Sequence, residues 1–144
     1  MLQIRFIKLR DGAHIPLKAH EDDAGFDLYA SEDYLLKAHG FGCVPTAIAI
    51  ELPAGTEAQV RPRSGLAAKF GVTVLNAPGT IDAGYRGEVK VILINYGDED
   101  FAISAGMRIA QLVISPVLPA AFIEVEALED SVRGEGGFGS SGTK

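Results

Sequence analysis

Hydrophobic and polar residues alternate along most of this chain, with a period near two rather than the 3.6 of a helix. Leu2, Ile4 and Phe6 alternate with Gln3 and Arg5, which predicts a half-buried strand. The stretch AGFDLYA, residues 24–30, reads as a second, mostly apolar strand that carries one acid, Asp27. From Phe41 to Leu52 the alternation is clean, with Val44, Thr46, Ile48, Ile50 and Leu52 on one face. Glu57–Val60 is a short strand, and Val72–Leu75 leads into the stretch that begins at Asn76. The run Val89–Ile94 is apolar on both faces apart from Lys90, the pattern of a central strand. Phe101–Ile103, Met107–Ile114 and Phe122–Val125 complete the set. One helical piece stands out within RPRSGLAAKFG, residues 61–71: Ser64 reads as its N-cap, and Gly71 sits where a helix-ending glycine belongs. About ten short strands and one short helix predict an all-β, single-domain barrel or sandwich.

Composition narrows the class. The chain has 144 residues, enough for one domain, with 47% hydrophobic and 22% charged residues. Its single cysteine, Cys43, rules out an internal disulfide and a cysteine-rich zinc site; lying in an alternating strand, it reads as buried filler. MLQIRFIKLR carries no signal-peptide h-region, and no apolar run approaches the roughly 18 residues of a membrane span, so a cytoplasmic protein is expected. A net charge of −6 argues against a general nucleic-acid binder and leaves room for a small anion held by local arginines. From Arg133 the sequence becomes RGEGGFGSSGTK, which cannot build a core; residues 1–132 are expected to form the barrel and 133–144 a flexible tail.

Candidate chemistry centres on Asn76–Lys90, NAPGTIDAGYRGEVK. Pro78 fixes φ, Gly79 is free to take φ > 0, and Ala83-Gly84 adds a second bend. Thr80, Ile81 and Asp82 form a stiff extended piece between the bends, holding one carboxylate next to Tyr85. The competing reading makes Asp82 a turn residue that binds its own backbone. Five of the seven arginines, Arg61, Arg63, Arg86, Arg108 and Arg133, lie in or beside glycine-containing polar segments, which suits phosphate. Arg63-Ser64-Gly65 also opens the helix, where free N–H groups favour anions.

The tail divides its readings on energy. Ordering about ten glycine-rich residues costs on the order of 10 kcal/mol. One stacking contact returns roughly 1–3 kcal/mol, and a charge-assisted hydrogen bond about 1.5–3 kcal/mol. Phe138 alone cannot order it; Phe138, Arg133 and several N–H groups on one nucleotide can. The tail is therefore expected to act as a lid over a ligand with a base and phosphates. Its G-x-G-x-x-G at Gly134, Gly136 and Gly139 follows no strand and precedes no helix, so it is not a dinucleotide fingerprint. His20-Glu21-Asp22-Asp23 reads as a solvated acidic loop rather than a metal site. No histidine accompanies these motifs, which weakens a nucleophilic triad. A glycosidase-like pair of Asp27 and Asp82 would leave the arginines and tail without a role.

Five ordered stretches, AGFDLYA, RPRSGLAAK, NAPGTIDAGYRGE, GMRIAQLVI and RGEGGFGSSG, together resemble the homotrimeric dUTPases over nearly the whole chain. The resemblance implies a β-barrel or jelly-roll subunit and hydrolysis of dUTP to dUMP and pyrophosphate, keeping dUTP low and supplying dUMP. Its sites would be shared between three subunits, one subunit's tail closing another's pocket. It implies Asp82 as the base that deprotonates the attacking water. Asn76, Thr80 and Ile81 would read uracil, and Tyr85 would pack on deoxyribose. Arg63, Ser64, Gly65 and Gln111 would meet phosphates, and Asp27 would act through water on Mg2+ carried by the triphosphate. Arg133 would meet the γ-phosphate and Phe138 would stack on uracil beside Gly139; Lys90 matches a position sometimes in contact with substrate. Two other readings remain: a dCTP deaminase-like enzyme, disfavoured by the lack of a carboxylate in Val89–Ile94, and a non-catalytic nucleotide-binding regulator.

Overall fold

Two four-stranded antiparallel sheets share one apolar core in the computed structural model, which describes residues 1–144. In chain order the elements are β1 (Arg5–Lys8), β2 (Gly25–Tyr29), β3 (Tyr34–Leu36), β4 (Phe41–Glu51), β5 (Thr56–Arg61), α1 (Ser64–Phe70), β6 (Val72–Val74), β7 (Gly79–Ile81), β8 (Glu88–Asn95), β9 (Phe101–Ile103) and β10 (Arg108–Pro116). One sheet runs β1-β4-β8-β6 and the other β2-β10-β5-β7, while β3 and β9 form a separate ribbon. This is an all-β jelly-roll: all-β as the alternation predicts, and a jelly-roll as the family resemblance implies.

The core comes from the expected faces. Val44, Thr46, Ile48, Ile50 and Leu52 are all buried, and β8 contributes Val89, Val91 and Leu93 from one face. The opposite sheet adds Leu28, Ala58, Val60, Ile81 and Leu112. β8 is central, paired with β4 on one side and β6 on the other.

The ladder between β4 and β8 breaks at Pro45–Ala49, where the register shifts. Ala47 sits there at φ 59°, a left-handed conformation that costs an ordinary residue about 1–2 kcal/mol. Three bonds from outside the ladder pattern satisfy groups at the break. Leu9 N–H donates to Ala47 O at 2.8 Å, Ala47 N–H donates to Glu88 Oε2 at 3.1 Å, and Thr46 Oγ1 donates to Val89 O.

Four local expectations need correction. The N-cap is Arg63 and not Ser64, which is the first helical residue; no side chain caps the helix, and its end at Gly71, φ 66°, is as expected. β1 starts at Arg5, and all four of its residues are exposed, because it is a sheet edge with Phe6 and Ile7 on the rim. No strand forms at Phe122–Val125: beyond Val117 N–H, which donates to Gly55 O, no backbone hydrogen bond ties residues 118–130 to the barrel. A single extended segment has no partner for its backbone and is not stable as a strand. Gly79 lies in β7 without positive φ; what matters there is space, since an added Cβ would come within 3.2 Å of Asn76 Nδ2.

Asn95, 1% exposed, anchors the far end of the core. Its Nδ2 donates to Leu36 O (3.2 Å) and Glu99 O (2.8 Å), and its Oδ1 accepts from Gly97 N–H at 2.8 Å. Asn95→Ala leaves these three backbone groups unpartnered and should cost about 3 kcal/mol. Urea unfolding at fixed protein concentration measures the loss.

Candidate active site

The sheet β2-β10-β5-β7 carries most of the candidate residues. Asp27 on β2, Gln111 on β10 and Arg61 on β5 are successive partners in one rung across three strands. At the edge, β7 pairs Ala58 with Ile81 and delivers the chain to Asp82. An edge strand has one row of N–H and C=O groups without a strand partner. Thr80 and Ile81 point their backbone groups to opposite sides of the strand, so one of the two has its N–H and C=O open to a ligand.

The residues fall into two clefts that share no lining residue. The first, of about 290 Å³, is lined by Asp23, Gly25, Asp27, Arg63, Ser64, Gly65 and Gln111, among others. Asp27, the acid in an apolar strand, has found its partners there. Arg63 Nε lies 3.6 Å from Oδ1 and Arg108 Nη1 3.4 Å from Oδ2. Both are looser than a good charge-assisted hydrogen bond, so neither guanidinium is committed to the carboxylate. Gln111 is held by its Nε2, which donates to Pro62 O at 2.9 Å. Ser64 and Gly65 bring the first N–H groups of α1, which have no partner within a helix.

The second cleft, about 220 Å³, contains Cys43, Thr80, Ile81, Asp82, Tyr85, Val89, Lys90 and Ile92. Asp82 is exposed, and its carboxylate has no hydrogen-bond or ion-pair partner in the chain; only its carbonyl is used, by Tyr85 N–H at 3.1 Å. The turn is thus closed through the backbone and leaves the side chain free. Tyr85 folds over Gly87, where an added Cβ would lie 2.5 Å from the phenol oxygen, and the phenol donates to Glu88 O at 2.9 Å. Asn76 is exposed beside Gly79.

Arg133, Phe138 and Gly139 meet neither cleft. Every hydrogen bond of the tail is internal, from Gly134 N–H to Ser131 O through Gly142 N–H to Gly139 O, with Arg133 Nε donating to Gly136 O at 2.6 Å. Phe138 is fully exposed.

A dUTPase family model matches residues 11–142. The chain belongs to the dUTPase family. It is 56% identical to the deoxyuridine 5'-triphosphate nucleotidohydrolase of Clostridium acetobutylicum, covering 100% of this chain and 99% of that protein. The corresponding protein of Crocosphaera subtropica is 55% identical over 98% of this chain and 99% of its own length. Among solved structures, the dUTPase of Staphylococcus bacteriophage 80alpha with dUPNHPP matches with a TM-score of 0.90 and 29% identity, covering 98% and 99% of the two chains.

Within this dUTPase-family fold, only two of the five grouped arginines converge, Arg63 and Arg108. Arg61 is spent on Gln59, and Arg86 donates to Ala83 O, Tyr85 O and Glu51. Cys43 is exposed in the second cleft and is not core filler. The alternation already held that signal, since Cys43 is out of phase with Val44–Leu52. Asp27 and Asp82 line different clefts, so they are not a glycosidase-like pair. Sequence reasoning missed Glu88, whose carboxylate takes a bidentate fork from Arg10 (2.8 and 2.9 Å) as well as the Ala47 N–H. Nothing local marks that pair, because its members are 78 residues apart.

The Arg10 fork, then the Ala47 N–H, hold the Glu88 carboxyl below its ordinary value of 4.5, against the opposing effect of burial. A lowered folded-state value stabilises the fold above the unfolded value, and that stabilisation is lost as pH falls through the folded one. Glu88→Gln should therefore weaken the fold at neutral pH and flatten its loss of stability in acid. Urea midpoints taken from neutral pH down to about pH 3 test this.

Proposed function

We propose that this chain hydrolyses dUTP to dUMP and pyrophosphate, with Asp82 as general base. The observation that carries the assignment is the free Asp82 carboxylate, presented by a closed turn at the end of an edge strand, beside Tyr85 and Lys90. Asp82 takes a proton from water as the water oxygen bonds to the α-phosphorus. The bond from that phosphorus to the bridging oxygen breaks, and pyrophosphate leaves with the bonding pair. A positioned base of this kind contributes roughly 10²–10⁴-fold.

Placement supports most of the remaining roles, and those of the tail rest on the family resemblance. The open backbone groups on the β7 edge at Thr80-Ile81, with the Asn76 amide, offer donors and acceptors to the edge of uracil. Tyr85 forms the wall against deoxyribose, and Lys90 lies on the same side. Arg63, Ser64, Gly65 and Gln111 line the cleft suited to the phosphates. No group of three or more metal-ligating side chains is assembled, so the chain offers no cage of its own for Mg2+. The Asp27 carboxylate, loosely held by two arginines, fits a hydrated Mg2+ brought by the triphosphate, which would offset phosphate charge. In the tail, Arg133 is assigned to the γ-phosphate and Phe138, with Gly139, to stacking on the base; residues 133–144 form a lid on the barrel of residues 1–132.

Assembly as a homotrimer with shared sites is part of the same reading. One subunit presents two separate clefts and a tail that reaches neither. Its arm also exposes Phe122, Ile123, Val125 and Leu128, apolar surface suited to a second copy of this chain. No helix of the chain is long and apolar enough to cross a membrane; a cytoplasmic location is proposed, with neither nucleic acid nor membrane as a partner. Deaminase chemistry is disfavoured by β8, whose residues lining the second cleft, Val89, Lys90 and Ile92, carry no carboxylate.

Asp82→Asn should lower kcat by about 10²–10⁴-fold while dUTP binding and the fold persist. Pyrophosphate release from dUTP, UTP, dTTP and dCTP checks both claims; similar rates on all four would sink the specificity, and an active Asp82→Asn would sink the mechanism. Deleting residues 133–144 should leave the unfolding midpoint unchanged, since the tail bonds only to itself. It should cost about tenfold or more in kcat/KM, the worth of one lost stacking contact.

A further inference from the structure

We propose that the Arg10–Glu88 ion pair is a positioning clasp for Tyr85 and, through Tyr85, for discrimination between deoxyribose and ribose. The inference rests on the assignment of Tyr85 to the sugar. Tyr85 is half exposed, and its phenol has one hydrogen bond, donated to the Glu88 carbonyl at 2.9 Å. The position of that carbonyl is the position of the first residue of β8. Beyond its pairing with Ala49 in the ladder, Glu88 is held there by its side chain, which accepts two parallel bonds from Arg10 and a third from Ala47 N–H. Arg10 in turn follows Leu9, whose N–H donates to Ala47 O at 2.8 Å. The end of β1, the break in β4 and the start of β8 are thus tied in one knot, and Tyr85 hangs from it.

Surface ion pairs usually contribute little, but a bidentate arginine–carboxylate pair is the exception. This pair has that geometry, and the Glu88 side chain is only 14% exposed. The other ion pair near the hairpin, Arg86 to Glu51, is longer at 3.5 Å, with side chains 53% and 40% exposed. Arg10–Glu88 is therefore the tie that holds.

Rigidity matters because an apolar wall rejects one extra hydroxyl only weakly, by about 10²-fold at best. A ring that yields by a few tenths of an ångström forfeits much of that factor. Arg10 and Glu88 touch no substrate in this account; they act by keeping the ring in place.

The test compares Arg10→Ala, Arg10→Lys and, as a control from an ion pair with no contact to the Tyr85 turn (Lys37 with Asp100, 3.6 Å), Lys37→Ala. Values of kcat/KM are measured for dUTP and UTP, and ring resonances are followed in tyrosine-labelled protein, with Tyr85→Phe assigning Tyr85 among the four tyrosines. In Arg10→Ala the dUTP/UTP ratio should fall about 5- to 20-fold, within the range that small misplacements cause. The Tyr85 resonances should shift with it. Arg10→Lys should lie between, because an ammonium cannot make the two parallel bonds. Lys37→Ala should match wild type in both readouts. A ratio that does not change in Arg10→Ala, or that falls as far in Lys37→Ala, overturns the clasp. A wild type with no preference for dUTP overturns the functional assignment instead, and unmoved Tyr85 resonances in Arg10→Ala would then overturn the clasp on their own.

Discussion

The break in the β4–β8 ladder is the constraint on which the second cleft depends. A strand pair with a shifted register must find new partners for the groups it frees, or bury them at a cost of roughly 1–3 kcal/mol each. Here the partners come from elsewhere in the chain: the backbone of Leu9, the hydroxyl of Thr46 and the carboxylate of Glu88. Repairing the break therefore recruits Glu88, and Glu88 opens the strand that follows the Asp82–Tyr85 turn. The strained conformation of Ala47 persists because three elements hold it, which is how such conformations survive in folded proteins. A structural repair in the core thereby fixes the geometry of a functional turn on the surface.

Sheet order explains why the candidate residues sort into two groups. β2 and β7 are opposite edges of one sheet, with β10 and β5 between them. At roughly 4.8 Å per strand, side chains on the two edges lie on the order of 15 Å apart. Asp27 lies on one edge, reached by Arg108 of inner strand β10 and by Arg63 just after inner strand β5, and Asp82 follows the other edge. In the proposed trimer, facing edges of neighbouring copies would bring the two clefts together. That is the physical content of a shared site.

Much of this was legible in the chain. The face Val44–Leu52 and the central position of Val89–Ile94 follow from alternation and from apolarity on both faces, signals that survive because burial decides them. What failed to show has a common cause. Whether Phe122–Val125 is a strand depends on a partner backbone that its own sequence does not contain. Ser64 has the right chemistry for a cap, yet Arg63 takes the position, because the helix starts one residue earlier than propensity suggests. Five arginines in glycine-rich segments look alike in sequence, but Arg86 folds back on its own turn, and only spatial neighbours separate it from Arg63. The Arg10–Glu88 pair depends on two strands meeting across 78 positions, which no local pattern records. For the site itself, Asp82 and Tyr85 were visible as an acid and a ring between two bends; the free state of that acid was not, since the competing turn hydrogen bond was equally available to it.

The tail sharpens the energetic argument made from its composition. A featureless ten-residue glycine-rich segment would cost on the order of 10 kcal/mol to order. This one is already folded into successive turns, with N–H groups of Gly134, Gly136, Ser140 and Gly142 each bonded three residues back. Gly134, Phe138, Gly139 and Gly142 hold the positive φ values these turns need, and Arg133 is tied to Gly136. Each residue restricted in advance removes about 1–2 kcal/mol from the cost of closing. Local turns alone do not decide where the tail goes, because none of their bonds reaches the barrel. They lower the threshold at which a ligand does so: with part of the ordering already done, one stacked ring and two or three charge-assisted hydrogen bonds suffice. In the proposed lid role, a tail built this way would close on a nucleotide that offers both a base and phosphates, and would stay open for one that lacks either.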